Sequence, residues 1–336
     1  MTRPDIDQKR RTLLLAAASG MASAMVPAGA ALAQGPSGYP NRPITFICPW
    51  PAGGTADITM RVLAKIMSQH LGQPVIFQNS AGASGMIGAR AIAVAKPDGY
   101  TIGQIPLSVT RFAQLGTVAF DPLKDFTYLA RTSGQTFGVV VRDESPFKTL
   151  ADLVNAAKAS PGKLTYATAG VAGATHVGME EFLLAAGAKM NHIPYKGGAP
   201  ALADLMGGQV DALADSSSWA QYVESGKLRL LATWGEKRPP RFAKVPTLKD
   251  AGYDVVVDAP NGIGAPAGLD PQVADRLRDA LRKAVQSAEF KAACDKIDAP
   301  VMYQDADEYR KYMLSQYVRE KRLIEKLNLR EQIKNG

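Results

Sequence analysis

Gly53 and Gly54 stand where a short apolar run ending at Cys48 gives way to a helical pattern beginning near Thr55, in the stretch ICPWPAGGTADITMRVLAKI. Glycine has no Cβ, so it reaches φ > 0 and leaves its amide uncovered, while the first turn of the following helix adds unpaired N–H groups and partial positive charge. The chemistry of such a junction is anion binding, with a tight turn as the other use of the same two glycines. The arrangement recurs. In KLTYATAGVAGATHVGMEEFLLAAG a strand ends near Thr168, a small-residue loop follows, and Thr175 opens an amphipathic helix. In VIFQNSAGASGMIGARAIAVA the loop from Asn79 to Gly85 joins a strand to a helix. If the three loops converge, their amides form a cradle; apart, each is a connector.

Groups for covalent or acid–base chemistry are not visible in the pattern. His70, His176 and His192 have no metal-ligand spacing, and each reads as structural. GASGM lacks the second glycine of a G-x-S-x-G elbow because Met86 takes its place, which leaves Ser84 a hydrogen-bond donor and not a nucleophile. Neither a G-x-x-x-x-G-K-S/T loop nor a G-x-G-x-x-G fingerprint is present, so no cofactor and no metal is expected. A hydrolase of small esters is the weakest reading, because no nucleophile and base can be paired.

Around these loops, strands and helices alternate. ITFIC, PVIFQN, YTIGQI, FGVVV, KLTYAT, NHIPY, VDALAD and RLLATW are short apolar runs separated by helical patterns, which predicts α/β sheets covered by helices on both faces. Such sheets bind ligands at the carboxyl ends of their strands, where the glycine loops fall. Lys9, Arg10 and Arg11 precede an apolar run from Leu13 to Val26 and then ALA at 31–33. This predicts an export signal over residues 1–33, cleaved near Ala33, by a twin-arginine or a general secretory route. The remaining ~300 residues suffice for two lobes. The extended segments DFTYLARTSGQTFGVVVR and VVVDAPNGIGAPAG are read as crossings between them, with the C-terminal helices from Pro271 returning to the first lobe. These crossings predict one lobe from 39–137 plus 259–336 and another from 138–258.

The formal charge of the full chain is +8, and the chain without its signal stays basic, which favours anionic ligands. Nucleic acid is excluded, because bases and acids are interleaved; even VREKRLIEKLNLREQIK mixes signs at helical spacing and reads as a solvated face. Cys48 and Cys294 are the two cysteines, and buried free thiols are expected, with a disulfide as the alternative.

In YPNRPITFICPWPAGGTAD, LGQPVIFQNSAGASG, AKPDGYT, FDPLKDF, HIPYKGGAPALADLMGGQVDAL, GKLRLLA, VPTLKDAGY and GIGAPAGLDP the chain resembles the Bug or TctC-type substrate-binding proteins of tripartite tricarboxylate transporters. The resemblance spans nearly all of the chain after its signal. It implies a two-lobed periplasmic-binding-protein fold of the Venus-flytrap, type II-like kind, each lobe a mixed sheet flanked by helices. It also implies a monomeric periplasmic protein, not an enzyme, that captures a small organic carboxylate and delivers it to membrane subunits of such a transporter. The ligand would be a di- or tricarboxylate, aliphatic or aromatic. A ligand-sensing partner of a membrane signalling protein is the alternative, since it would use the same capture.

Carried over by position, the ligand loops fall on Trp50, Pro51, Ala52, Gly53, Gly54, Thr55 and Asp57, and on Thr168, Ala169, Gly170, Ala172, Gly173, Thr175 and His176. Ala81, Ser84 and Ser108 join the first group; Tyr195, Lys196, Asp215, Ser216 and Ser217 line the opposite lobe, with Ser218 beside them. The family usually has proline at 81 and glycine at 84, and the glycine common in the second loop is Ala172 in this chain. Asp57 reads as a loop organiser, because an acid in a first helical turn accepts backbone amides; contact with a ligand ammonium is the other role open to it.

Overall fold

The computed structural model describes residues 38–334, so the export signal expected over 1–33 lies outside the described residues. From the N-terminal end the chain forms β1 (Ile44–Cys48), α1 (Thr55–Leu71), β2 (Val75–Asn79), α2 (Met86–Ala93), β3 (Thr101–Ile105), α3 (Ser108–Leu115) and β4 (Phe126–Ser133). It continues through β5 (Phe137–Arg142), α4 (Leu150–Ala159), β6 (Thr165–Thr168), α5 (Ala174–Ala186), β7 (Asn191–Pro194), α6 (Gly198–Met206), β8 (Ala212–Ser216), α7 (Ala220–Glu224) and β9 (Leu228–Thr233). The last part is β10 (Asn261–Pro266), α8 (Pro271–Gln286), α9 (Ala288–Lys296), β11 (Val301–Gln304), α10 (Ala306–Lys326) and α11 (Leu329–Lys334).

Two mixed sheets result. The first has the order β11-β4-β10-β3-β1-β2, with β1 parallel to β2 and β3, and β10 antiparallel to β3 and β4. The second has the order β7-β6-β8-β5-β9, with β6 parallel to β7 and β8, and β5 antiparallel to β8 and β9. The chain passes between the sheets at 134–136, between β4 and β5, and again in the extended segment before β10.

Helix α1 shows why these elements form. Met60, Leu63, Ala64, Met67 and Leu71 recur at three- and four-residue spacing and are buried, packing on Ile44 and Phe46 of β1 and on Leu277 and Leu281 of α8. Each such leucine contributes about 1.5–3 kcal/mol by leaving water. The helix stops at Gly72, whose φ of 70° takes the left-handed turn that an L side chain resists. At the start of α8, Asp270 accepts the amides of Gln272 and Val273, with Pro271 in the first turn.

Two sequence expectations change. The C-terminal charged segment is not merely a solvated face: Glu320 is buried and ion-paired to Arg111, while Leu323, Ile324, Leu327 and Leu329 pack with Ala172 and Val177. Strand β11 carries little sequence signal, because its residues are largely exposed and it pairs with β4 only at Val301 and Gln304. Cys48 and Cys294 are free and buried, and burial pushes both thiols up to about 12. Unfolding without reductant is therefore expected to expose two thiols to a labelling reagent, whereas the native protein labels slowly at both; intact-mass analysis showing none would mean a disulfide.

Candidate functional site

The three glycine-bearing loops converge. Ser84 Oγ donates to Val171 O at 2.5 Å, joining the loop after β2 to the loop after β6, and Ser108 Oγ donates to Ser84 O at 3.0 Å. Asn79 Nδ2 donates to Trp50 O at 2.9 Å and to Asp57 Oδ1 at 2.8 Å, which ties the first loop to the second. Asp57 also accepts the Gly53 amide at 3.1 Å and Arg61 Nη2 at 2.7 Å. Its carboxylate is thus fully engaged in holding the loop and does not reach a cavity wall.

Between the sheets lies a cavity of about 60 Å³. That is the space of about four to six waters, a small-molecule site and not a peptide groove. Three of its walls are helix N-termini: Gly54, Thr55 and Ala56 of α1; Gly173, Ala174 and Thr175 of α5; and Pro106, Leu107 and Ser108 of α3. Gly54 and Gly173 are the N-caps of α1 and α5, both extended, and neither helix start has a side-chain cap. The first-turn amides therefore remain open to an anion, and the two helix dipoles place partial positive charge there. No lysine, arginine or histidine stands among the lining residues; Asp215 is the one ionisable side chain in that wall. The basic balance of the chain plays no direct part at this wall.

Of the residues expected at a site, Trp50, Pro51, Gly54, Thr55, Ser108, Ala169, Gly173, Thr175, Asp215 and Ser216 line the cavity. Ala52, Gly53 and Lys196 are exposed at its margin instead, and Tyr195 donates to Asp204 Oδ2 at 2.6 Å. Ala81, Ser84, Thr168, Gly170, Ala172, His176 and Ser217 are not among the lining residues. Ser216 Oγ donates to Thr55 Oγ1 at 3.0 Å and joins two loops, whereas Ser218 Oγ donates to Ser216 O at 3.4 Å within its own loop. The cavity also takes Gln104, Gln135, Phe137, Gly198, Ala259 and Pro260, which motif reading missed. The extended crossing segments were the available signal, since four of these six, Gln135, Phe137, Ala259 and Pro260, lie within them.

The glycine argument needs correcting residue by residue. Gly53 has φ +84°, but Gly54 has φ −79° and ψ 166°, which any residue adopts, and a Cβ built there meets only Pro51 O at 3.7 Å. Backbone strain at Gly54 is therefore no obstacle to substitution. Glycine is required at Gly197, where φ is +126° and a Cβ would fall 2.3 Å from Pro51 Cγ.

Ser84 (φ +52°) and Ala172 (φ +53°) are the two residues where the resembled family prefers glycine, and both hold left-handed backbone. Such a non-glycine residue costs about 1–2 kcal/mol. Ala172 is pinned from both sides: Arg111 Nη1 donates to its carbonyl at 2.6 Å, and its amide donates to His176 Nδ1 at 3.1 Å. That last bond requires an unprotonated Nδ1. The His176 ring stacks on His192 at 4.0 Å, and His192 Nε2 meets Thr168 Oγ1 at 2.7 Å. Burial, then His192 and Arg111, depress His176 to about 3, and burial depresses His192 to about 4. Both are neutral when folded, whereas unfolded histidine titrates near 6.5. The unfolded chain therefore binds more protons over the window from 6.5 down to about 3, and stability falls with pH across it. The melting temperature is expected to drop between pH 7.5 and 4.5 and to drop less in His176→Asn, which keeps an acceptor without the titration; equal slopes would contradict the buried neutral pair.

Comparison with known proteins now has a geometry to act on. Residues 59–329 match the family model described as tripartite tricarboxylate transporter family receptor. The chain belongs to this family. A Cupriavidus necator relative, the UPF0065 protein in the gbd 5′ region, is 41% identical over 95% of this chain and 96% of its own. The periplasmic binding protein BugD superposes with a TM-score of 0.82 at 28% identity, over 87% of this chain and 99% of BugD. Two further solved structures superpose comparably. Rpa4515 of R. palustris, solved with adipate, gives 0.82 at 26% identity over 86% and 98% of the two chains. MatC from Rhodopseudomonas palustris, solved with bound malate, gives 0.80 at 25% over 85% and 100%. Like them, this receptor is a two-lobed α/β protein, and among its described residues no helix is long and apolar enough to cross a membrane.

Proposed function

We propose that this receptor captures a small organic carboxylate in the periplasm between two lobes, residues 39–137 with 259–336 and residues 138–258, and hands it unchanged to the membrane subunits of a tripartite transporter. The observation that carries the reading is the pair of uncapped helix N-termini, α1 and α5, on different sheets and facing one cavity without a cationic side chain. One helix N-terminus stabilises a partly buried anion by up to ~2 kcal/mol. Micromolar affinity needs roughly 8 kcal/mol. Neither lobe suffices alone, so closure must add the second set of amides and bury the ligand's carbon frame against Trp50, Leu107 and Phe137. The contacts Ser84–Val171, Ser216–Thr55 and Arg111–Ala172 are what closure makes. The adipate and malate of the two relatives support the carboxylate; malate carries a hydroxyl that adipate lacks, so family membership leaves the rest of the ligand open.

The test is a thermal-shift screen over mono-, di- and tricarboxylates, aliphatic and aromatic, with recovered ligand weighed by mass spectrometry. A binder at 100 times its dissociation constant adds ~2.7 kcal/mol of stability. Stabilisation by amines or sugars but by no carboxylate, or recovery of a chemically altered ligand, would sink the proposal.

A further inference from the structure

The cavity wall contains two polar side chains, each with an oxygen that the protein leaves unpaired, and they restrict the ligand beyond its carboxylate. Gln104, on β3, is 1% exposed, and its Nε2 donates to Asn261 Oδ1 at 2.9 Å. Gln135 Nε2 donates to the same oxygen at 3.2 Å. Asn261 Nδ2 in turn donates to Ser133 Oγ at 3.0 Å and to the Gly134 carbonyl at 3.4 Å. A carbonyl only accepts, so Asn261 must aim its amino group at Gly134 and its oxygen at both glutamines. The orientation of Gln104 follows: its amino group is used, and Oε1 is left without a partner.

Asp215, at the end of β8, is 2% exposed, and its Oδ2 also has no partner. It lies so close to α6 that a Cβ at Gly198 would fall 2.0 Å from Oδ2, which places the carboxyl against a bare glycine. Burial raises its carboxyl to about 7, the Ser216 amide offsets only part of that by favouring the charged form, and no charged side chain faces it. Gln104 and Asp215 line the same cavity. A buried acceptor left dry weakens binding on the order of tenfold to a hundredfold.

We infer that the ligand is a carboxylate that also carries a hydrogen-bond donor, a hydroxyl or an ammonium group, received by Gln104 and Asp215. The inference rests on the carboxylate reading above and narrows it. A hydroxyl serves Asp215 in either protonation state, because it donates and accepts; an ammonium serves only the ionised form. Trp50 Nε1, the third unpaired polar atom in the wall, is a donor and takes a ligand oxygen.

Calorimetry on the full processed protein with sets of equal chain length decides it: malonate and tartronate; succinate, malate and aspartate; glutarate, 2-hydroxyglutarate and glutamate. In the best-fitting set, the hydroxylated or aminated member is expected to bind at least tenfold tighter than the plain diacid. Gln104→Leu should lower that ratio severalfold, Asp215 remaining as the second acceptor. Asp215→Asn should abolish a preference for the amine and largely retain one for the hydroxyl, which separates the two donors; the melting temperature of each variant checks that it is folded. Plain diacids binding as tightly as their substituted partners overturns this inference and leaves the carboxylate reading standing. Binding of no member of any set overturns it together with that reading if the wider screen also finds no carboxylate, and alone if a donor-free acid outside the sets binds.

Discussion

Arg111→Leu is expected to lower the free energy of unfolding by about 3–5 kcal/mol, the cost of leaving a buried charge without its partner. Arg111 and Glu320 form a two-pronged pair, Nε to Oε2 and Nη2 to Oε1, each at 2.7 Å, with both side chains 3% exposed. Nη1 is also used, on the Ala172 carbonyl. Removing the arginine strands the Glu320 carboxylate and releases one side of the pinned Ala172. Removing both charges is different: replacing a buried pair by packed hydrophobic groups is often close to neutral. Arg111→Leu with Glu320→Leu should therefore regain most of the loss. Urea denaturation of the wild type, both single variants and the double variant makes this a closed cycle. A double variant as unstable as Arg111→Leu would show that the stranded charge is not the cause.

The second large effect is on affinity. Gly197→Ala is expected to weaken binding of whichever carboxylate the screen identifies by about 10–100-fold, the equivalent of the 1–3 kcal/mol typical of overpacking. Its Cβ would fall 2.3 Å from Cγ and 2.4 Å from Cδ of Pro51, a rigid ring on the loop of the other sheet. Drawing the two loops apart relieves that clash, so the substitution penalises the closed state and spares the open one. The left-handed backbone at Gly197 adds a strain that acts in both states and so appears in the melting temperature rather than in affinity. Gly207→Ala is the control, since φ there is −78° and the nearest atom to its Cβ is Ala203 O at 3.5 Å. If Gly197→Ala binds as tightly as wild type, the contact between these loops is not part of the bound state.

Much of this was legible from short-range pattern. Apolar runs of five or six residues marked eight of the eleven described strands, β4 and β10 being read as crossings and β11 not at all, and glycine followed by a helical period marked the turns at Gly54 and Gly173, because dihedral preference and periodicity act between neighbours. The ordered matches along the chain gave the family. The same local logic erred at Gly54, where composition shows that a glycine is present but not which φ it takes. It erred again at Glu320, where alternating charge implied solvent and burial by a distant partner decided otherwise.

What the tertiary structure alone decided are polar balances between residues far apart. Arg111 meets Glu320 across 209 positions, Ser216 meets Thr55 across 161, and Gln104 meets Asn261 across 157. No local rule connects such residues, since the chain between them can bring any of many pairs together, and only packing selects one. The same selection fixes which buried groups remain unpaired. Gln104 and Asp215 look like ordinary strand-end polar residues in sequence, and each keeps an unpaired oxygen only because Asn261 takes one end of the first and the second packs against Gly198, which offers it no side chain.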